Sequence, residues 1–391
     1  MSDIESIFGD ISVEEFLKHY WQKKPLLIRN AIPDFLSPLT PEELAGLSCD
    51  AHVSSRLIIE KGGKRPWQVI YGPQEEKTFS ELPATHWTLL VSDVEKVLPD
   101  LCDIVDRFRF IPDWRIDDLM ISYAPEGGSV GPHIDQYDVF LLQAWGHRRW
   151  QINRQPPKPD NFVPGLELRI MKEFEAEQEW VVAPGDLLYL PPGIPHYGVA
   201  LDDCMSYSIG FRAPTHADMV VDFVEHLAQR LPDELRYTDP NLEPQPNPGE
   251  ISSSALKRVE ALIEQHLQYD DDFLAQWFGA YITEPKAEIP PENEQPVDDF
   301  DTLDTMFEET GQIYRHPGSR FAYIPSDDDD SDLFVDGKCY RVSTWFAETL
   351  CADRCIDYDT LEPFDLDEDE QEILLRLYNK GKLYFDDEDG E

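Results

Sequence analysis

Basic residues are scarce in this 391-residue sequence: 33 Lys and Arg stand against 78 Asp and Glu, a formal net charge of −45. A surface of that sign repels phosphate backbones, which disfavours general nucleic-acid binding, and no direct DNA contact is expected. What it attracts is cationic, for instance a basic protein or peptide. Cysteine is sparse too. Cys49, Cys102, Cys204, Cys339, Cys351 and Cys355 include no CxxC pair and read as reduced thiols. Cys351 and Cys355 have helical i,i+4 spacing with Cys339 upstream, but no histidine lies close enough in sequence to complete a zinc set. Long apolar runs are missing: none approaches the roughly 18–20 residues of a membrane span. The opening Met1-Ser2-Asp3-Ile4-Glu5 lacks the basic-then-apolar layout of an export signal, so the expectation is a cytoplasmic protein without membrane contact. What is present, 41% hydrophobic and 12% aromatic residues, is enough to build real cores, and the length allows two or three domains.

The chain divides by texture. Ser12 followed by Glu15 reads as a capping box ahead of Val13, Phe16, Leu17 and Tyr20 at helical spacing. Lys24-Pro25 ends that helix, and Leu26–Ile28 reads as a buried strand. Thr40-Pro41-Glu42-Glu43 supplies a cap, an N1 proline and an acidic first turn for a second helix. From about 117 to 212 short strands alternate with Gly and Pro turns: Leu119–Tyr123, Asp138–Leu142, Arg148–Ile152, Trp180–Val182, Leu187–Leu190 and Ser206–Phe211. That spacing predicts a sandwich or barrel and not a parallel sheet. Helical periodicity follows, in one apolar stripe over Met219, Val220, Phe223, Val224, Leu227 and Leu231 and another over Leu256, Val259, Leu262, Ile263 and Leu267. Between the stripes Asp239–Glu250 is a proline-rich loop, and Pro285–Asp299 reads as a linker. Residues 296–391 carry 28 acidic and 8 basic side chains. The runs Asp327–Asp330 and Asp386–Asp389 read as solvated loop and tail. Val342–Leu350 and Ile373–Tyr378 read as helices, and Lys382–Phe385, after Gly381, as a strand. Together these would suit a small winged-helix unit with a structural or docking role.

Three motifs bear chemistry. His133-Ile134-Asp135 would project an imidazole and a carboxylate from the same face of a strand, although for this motif taken alone a histidine bonded to a neighbouring acid is the better reading. Sixty-one residues after Asp135, the loop Pro191-Pro192-Gly193-Ile194-Pro195-His196 presents one histidine at the end of a proline-stiffened turn. Two histidines and one carboxylate on one face of a metal leave the other positions open, as non-haem Fe(II) oxygenases require, while a cupin-type barrel without metal remains open as an alternative. In Gly146-His147-Arg148-Arg149-Trp150-Gln151-Ile152, Arg148 shares a face with Trp150 and Ile152. If that face is inward, Arg148 is a buried guanidinium in need of an anion, which a small diacid would supply.

The run Gly131–Asp135, the strand Gly146–Trp150 and the loop Pro191–His196 together resemble the JmjC-type 2-oxoglutarate oxygenases. Asp113–Ser122, followed by Gln136-Tyr137-Asp138-Val139-Phe140, narrows the resemblance to the YcfD-type bacterial ribosomal oxygenases, which hydroxylate an arginine of large-subunit ribosomal protein sixteen. The similarity runs from about 12 to 290, including Trp21–Pro25 and Gly210–Pro214; the acidic last 90 or so residues match in outline only. The resemblance implies an α+β chain whose β segment is a double-stranded β-helix, a jelly roll of cupin type. It implies three parts: a catalytic barrel with N-terminal helices over 1–213, a helical dimerisation region over 214–290, and a winged-helix-like domain over 296–391. It further implies Fe(II) on His133, Asp135 and His196, with 2-oxoglutarate's distal carboxylate on Arg148 and Ser122 as a hydroxyl partner. The homodimer would form through the helices after the barrel. Asp117, Asp118 and Asp138 flank the motif and are candidates for meeting an arginine side chain of a basic ribosomal protein. Two other readings are a JmjC-type lysine demethylase and a non-catalytic acidic docking protein on a cupin-like barrel.

Overall fold

The computed structural model describes residues 7–62, 67–165, 169–286, 296–326, 329–361 and 366–386. The chain divides into two compact units, Met1–Ala213 and Pro214–Glu391.

In the first unit two helices precede most of the β structure: α1 (Val13–His19) and α2 (Pro41–Leu47). Ser12 Oγ accepts the Glu15 N–H at 3.2 Å, and Thr40 with Glu43 forms a complete capping box under Pro41. Each such cap is worth about 1 kcal/mol, so the sequence signals and the helix starts coincide for a physical reason. Short helices α3 (Glu76–Ser80) and α4 (Cys102–Asp106) follow. Eleven strands build two sheets: β1 (Leu26–Ile28), β2 (Ser55–Glu60), β3 (Trp67–Tyr71), β4 (Trp87–Val91), β5 (Ile116–Ala124), β6 (Val139–Trp145), β7 (Arg148–Ile152), β8 (Gln178–Val182), β9 (Leu187–Leu190), β10 (His196–Ala200) and β11 (Cys204–Phe211). The large sheet has the order β1-β9-β6-β11-β5-β4-β2-β3 and the small one β10-β7-β8, antiparallel throughout. This is the jelly roll of a cupin-type barrel, with strands β2–β4 extending the large sheet through a stretch where the sequence reading places no strand.

Alternation along the strands assigns the faces of the large sheet. Phe140, Leu142, Tyr189, Met205, Tyr207 and Ile209 point outward into a core shared with Phe8, Phe16 and Trp21. Phe16 lies 5.6 Å from the ring of Phe140 and 5.0 Å from that of Tyr189, and Trp21 lies 5.2 Å from that of Phe211. At about 1.5–3 kcal/mol for each large apolar side chain buried, this packing fixes which face is left to look inward. The inward face therefore carries the smaller and polar residues Ser122, Ser206 and Ser208, and it faces the small sheet.

The second unit begins with α5 (His216–Ala228), α6 (Ser253–His266) and α7 (Asp271–Thr283). The indole Nε1–H of Trp277 donates to Asp222 at 2.7 Å, and Phe223 meets Tyr269, Phe273 and Trp277 edge-on. The two expected stripes fall on α5 and α6, where Val220, Val224, Leu256, Val259, Leu262 and Ile263 are exposed. Next come α8 (Phe300–Thr310), β12 (Gln312–Arg315), β13 (Phe321–Pro325), β14 (Asp330–Val335), β15 (Lys338–Ser343), α9 (Thr344–Ala352), β16 (Cys355–Asp357), α10 (Tyr358–Leu361), α11 (Glu368–Asn379) and β17 (Leu383–Tyr384). β13–β15 form a meander, and β16-β12-β17 a second sheet, around Phe307, Leu333, Phe346, Leu350 and Leu377. The helix expected from Val342 starts two residues later, because Val342 still pairs with Ser331 in the meander. Of the acidic runs and the linker, 287–295, 327–328 and 387–391 lie outside the described residues. Among the described residues no helix is long and apolar enough to cross a membrane.

Candidate active site

His133 stands just ahead of β6 and His196 opens β10. They form an antiparallel bridge in which each backbone N–H donates to the other's carbonyl at 3.0 Å. That exchange places the two imidazoles side by side, with ring centroids 4.2 Å apart. Gly131 makes the approach to His133 possible. Its φ is +80°, and a Cβ there would stand 2.8 Å from Ile170. Each histidine is oriented in the same way: the Nδ1–H of His133 donates to the Gly131 carbonyl and that of His196 to the Ile194 carbonyl, both at 2.9 Å. This fixes the tautomer and leaves both Nε2 lone pairs free to bind a metal. The Gly193 N–H donates to the Asp135 carbonyl at 2.8 Å, tying the proline loop to the motif. Asp135 Oδ2 then lies 3.8 Å from His133 Nε2 and 3.5 Å from His196 Nε2. Donors on one ion at about 2.1 Å are separated by about 3 Å, so a small inward shift would close this triangle on a metal. Burial, and then the proximity of His133, lowers the pKa of His196 to about 4, which keeps it neutral as a ligand must be. Among the described residues it is this trio whose donor atoms lie within 4.8 Å of one another in a group that could hold a metal ion.

The trio opens onto a cavity of about 390 Å³ between the two sheets. Arg148 lies at its inner end, 3% exposed on β7. Its guanidinium stands 5.7 Å from the Trp150 ring centroid and donates from Nη2 to Cys204 Sγ at 3.7 Å. Its Nε–H is buried with no partner. A buried cation with a spare donor matches a carboxylate, so the inner end fits the distal carboxylate of a diacid and the histidine end fits a metal. Trp150 can close the wall because a Cβ at Gly198 would stand 2.6 Å from the indole.

Of the residues singled out in the sequence, His133, Asp135, His196, Arg148, Ser122, Asp117 and Asp118 all line this one cavity. Asp138 does not, and here the expectation is corrected. It is fully buried, its Oδ1 accepts the Tyr189 hydroxyl at 2.6 Å, and its Oδ2 accepts from the Gln22 side chain at 2.9 Å with Arg115 at 3.7 Å. Its carboxylate is engaged by Tyr189 and by the N-terminal segment and does not line the cavity. The cavity also has a wall the sequence reading missed: Arg56 and Ile58 on β2, Thr88 and Leu90 on β4, and Tyr137 and Arg169 from loops. The available signal was the short run Trp87-Thr88-Leu89-Leu90-Val91, where one polar residue interrupts an apolar strand. The phenol of Tyr137 is pushed above its ordinary pKa by burial and then by Asp135 and Asp118, so it stays a donor at the cavity mouth.

Fold and donor set together define a JmjC/cupin barrel with a two-histidine, one-carboxylate centre. Comparison with known proteins agrees. The JmjC domain profile matches residues 103–219 and the ROXA-like winged helix profile residues 261–384. The ribosomal protein uL16 3-hydroxylase of Escherichia coli is 38% identical over 74% of this chain and 77% of its own length. A probable ribosomal oxygenase of Haemophilus influenzae is 32% identical over 86% of this chain and 83% of its own. The crystal structure of E. coli YcfD superposes with a TM-score of 0.83 at 31% identity, covering 96% of this chain and 99% of the other. A second YcfD structure, in complex with cobalt and 2-oxoglutarate, gives a TM-score of 0.78 at 31% identity, covering 96% and 99%. The chain belongs to the YcfD-type JmjC ribosomal oxygenases.

Proposed function

We propose that the chain is an Fe(II)- and 2-oxoglutarate-dependent hydroxylase acting on an arginine side chain of ribosomal protein uL16 in the cytoplasm. The observation that carries this reading is the single cavity with the histidine–aspartate trio at one end and a buried arginine with a spare N–H at the other. When bound, the metal and 2-oxoglutarate supply the oxidising power: 2-oxoglutarate leaves as succinate and CO₂, and one oxygen atom of O₂ is placed on a substrate carbon.

The protein's own contribution is placement. His133, Asp135 and His196 would hold the ion from one side, which would leave it open to cosubstrate and oxygen. Arg148 neutralises and orients the far carboxylate, with Ser122 on the adjacent wall. Trp150 and the buried strands around it keep water from that end of the cavity. Asp117 and Asp118 line the outer wall and would attract a guanidinium, and the charge of −45 draws in a basic protein at longer range. No side-chain acid or base is needed. A lysine demethylase would use the same centre, but the match to uL16 3-hydroxylase favours a stable hydroxyl group as the product. A homodimer through α5 and α6 would cover the exposed apolar stripes; a single-chain mass in sedimentation would contradict it.

The test is mass spectrometry of ribosomal proteins from cells with and without the gene. One added oxygen on one arginine-containing uL16 peptide, lost on deletion, is expected. An unchanged uL16 spectrum would overturn the assignment.

A further inference from the structure

The loop that joins the metal motif to β6 is pinned at both ends. At one end the His133–His196 bridge and the Gly193 N–H on the Asp135 carbonyl fix the motif itself. At the other end Asp138, fully buried, has both carboxylate oxygens engaged: Oδ1 by the Tyr189 hydroxyl and Oδ2 by the Gln22 side-chain amide, with Arg115 at 3.7 Å. The Asp138 carbonyl accepts the Phe211 N–H at 3.1 Å. The Tyr189 hydroxyl closes the group by accepting the Gln22 backbone N–H at 2.7 Å. Tyr189 comes from β9, Phe211 from β11 and Gln22 from the segment after α1, so three distant parts of the chain converge on one residue.

Gln22 is fixed as firmly as Asp138. Its φ is +56°, a left-handed backbone that residues with a side chain seldom adopt, and its backbone N–H and side-chain amide both point into this group. Trp21 beside it stacks on the Tyr189 ring at 5.8 Å, and the Arg115 guanidinium lies over the Trp21 ring at the same distance. A backbone of this kind persists where its surroundings over-determine it, and such places cluster near functional sites.

Between the two pins stand Gln136 and Tyr137, both exposed. Among the described residues neither makes a backbone hydrogen bond, so the course of this dipeptide is set by its ends. Tyr137 lines the cavity, within electrostatic reach of Asp135, Asp118 and Arg56. We infer that the Gln22–Tyr189–Asp138 group is the positioning device for Tyr137: it sets where that phenol stands at the cavity mouth, and so how tightly the incoming substrate side chain is held. The inference rests on the reading of this cavity as that of a uL16 hydroxylase. It gives the N-terminal segment a part in substrate recognition although neither Gln22 nor Tyr189 lines the cavity.

The experiment is steady-state kinetics of the full-length, iron-loaded enzyme with purified uL16, taking KM for uL16 and for 2-oxoglutarate separately. Tyr189→Phe removes one hydroxyl and keeps the ring. It should raise the uL16 KM about 5- to 10-fold, the scale of one hydrogen bond, and leave the 2-oxoglutarate KM within about twofold. A purely structural loss would lower the active fraction, and with it kcat, without moving either KM. Tyr137→Phe should raise the uL16 KM by a similar factor. Tyr189→Phe added to it should cost less than about twofold more, because the group acts through that phenol. An unchanged uL16 KM in Tyr189→Phe, a parallel rise in both KM values, or losses that multiply in the double variant overturns the inference alone, provided the wild type hydroxylates uL16. A wild-type enzyme that leaves uL16 unmodified removes the underlying reading and the inference with it.

Discussion

Arg148 carries a charge that the fold has nearly stripped of water, and among the described residues no carboxylate pairs with it. The nearest compensation comes from a thiol and an indole face, both weak partners for a guanidinium. Arg148→Ala should therefore raise the 2-oxoglutarate KM at least tenfold and leave Fe(II) affinity within about twofold, since the metal trio does not touch it; a charge-assisted bond of ~1.5–3 kcal/mol sets that scale. Arg148→Lys should recover part of the loss, because a point charge replaces a fork. Unchanged cosubstrate dependence in the alanine variant would remove Arg148 from the site. Much of the site was legible at this scale. The motifs His133-Ile134-Asp135 and Pro191–His196 name the trio by residue type and stiffness, and strand alternation turns Arg148 inward. Asp138 was misread because a carboxylate beside a motif looks the same whether it faces a cavity or a buried Tyr189 hydroxyl. The cavity wall on β2 and β4 went unread because its place depends on register with β5, and register belongs to the pairing and not to a single strand.

At the scale of elements, β5 shows how the cavity wall is held. β4 pairs with β5 from Ile121 to Tyr123, so the earlier part of β5 needs another partner on that edge. Glu95 supplies it by accepting the Leu119 N–H at 2.9 Å. Burial raises the Glu95 pKa to about 7, with Lys96 opposing and Asp93 and Asp118 adding to the rise. Because the folded value lies above the ordinary 4.5, the protonated form stabilises the fold at low pH, and that contribution falls away as pH rises through 7. Glu95→Gln keeps an acceptor for Leu119 and removes the titration. Measured by denaturant unfolding, wild type relative to Glu95→Gln should lose on the order of 1–3 kcal/mol between pH 5 and pH 8. A constant difference across that range would show that Glu95 ionises freely in the folded protein. Helix starts were legible in Ser12 and Thr40 because capping is local chemistry. Strands β2–β4 were not, since their apolar runs are short and their partners lie far away in sequence.

At the scale of the whole molecule, charge and topology serve one end. The jelly roll brings His133 and His196 into one hydrogen-bonded pair although more than sixty residues separate them, and under the proposed function a net charge of −45 would draw in a basic substrate. The second unit has its own core around Phe307, Phe346 and Leu377, and its strongly acidic composition sets it apart from winged helices that contact nucleic acid. The account stands on that one assembled centre. Its most direct test is an assay of the purified protein with Fe(II), 2-oxoglutarate, O₂ and uL16, counting succinate formed and oxygen gained by the substrate, beside Asp135→Ala. The account predicts succinate and hydroxylated uL16 in equal amounts from wild type, and neither from Asp135→Ala despite an unchanged thermal midpoint. Equal turnover by the two proteins, or none by wild type with iron bound, would contradict it.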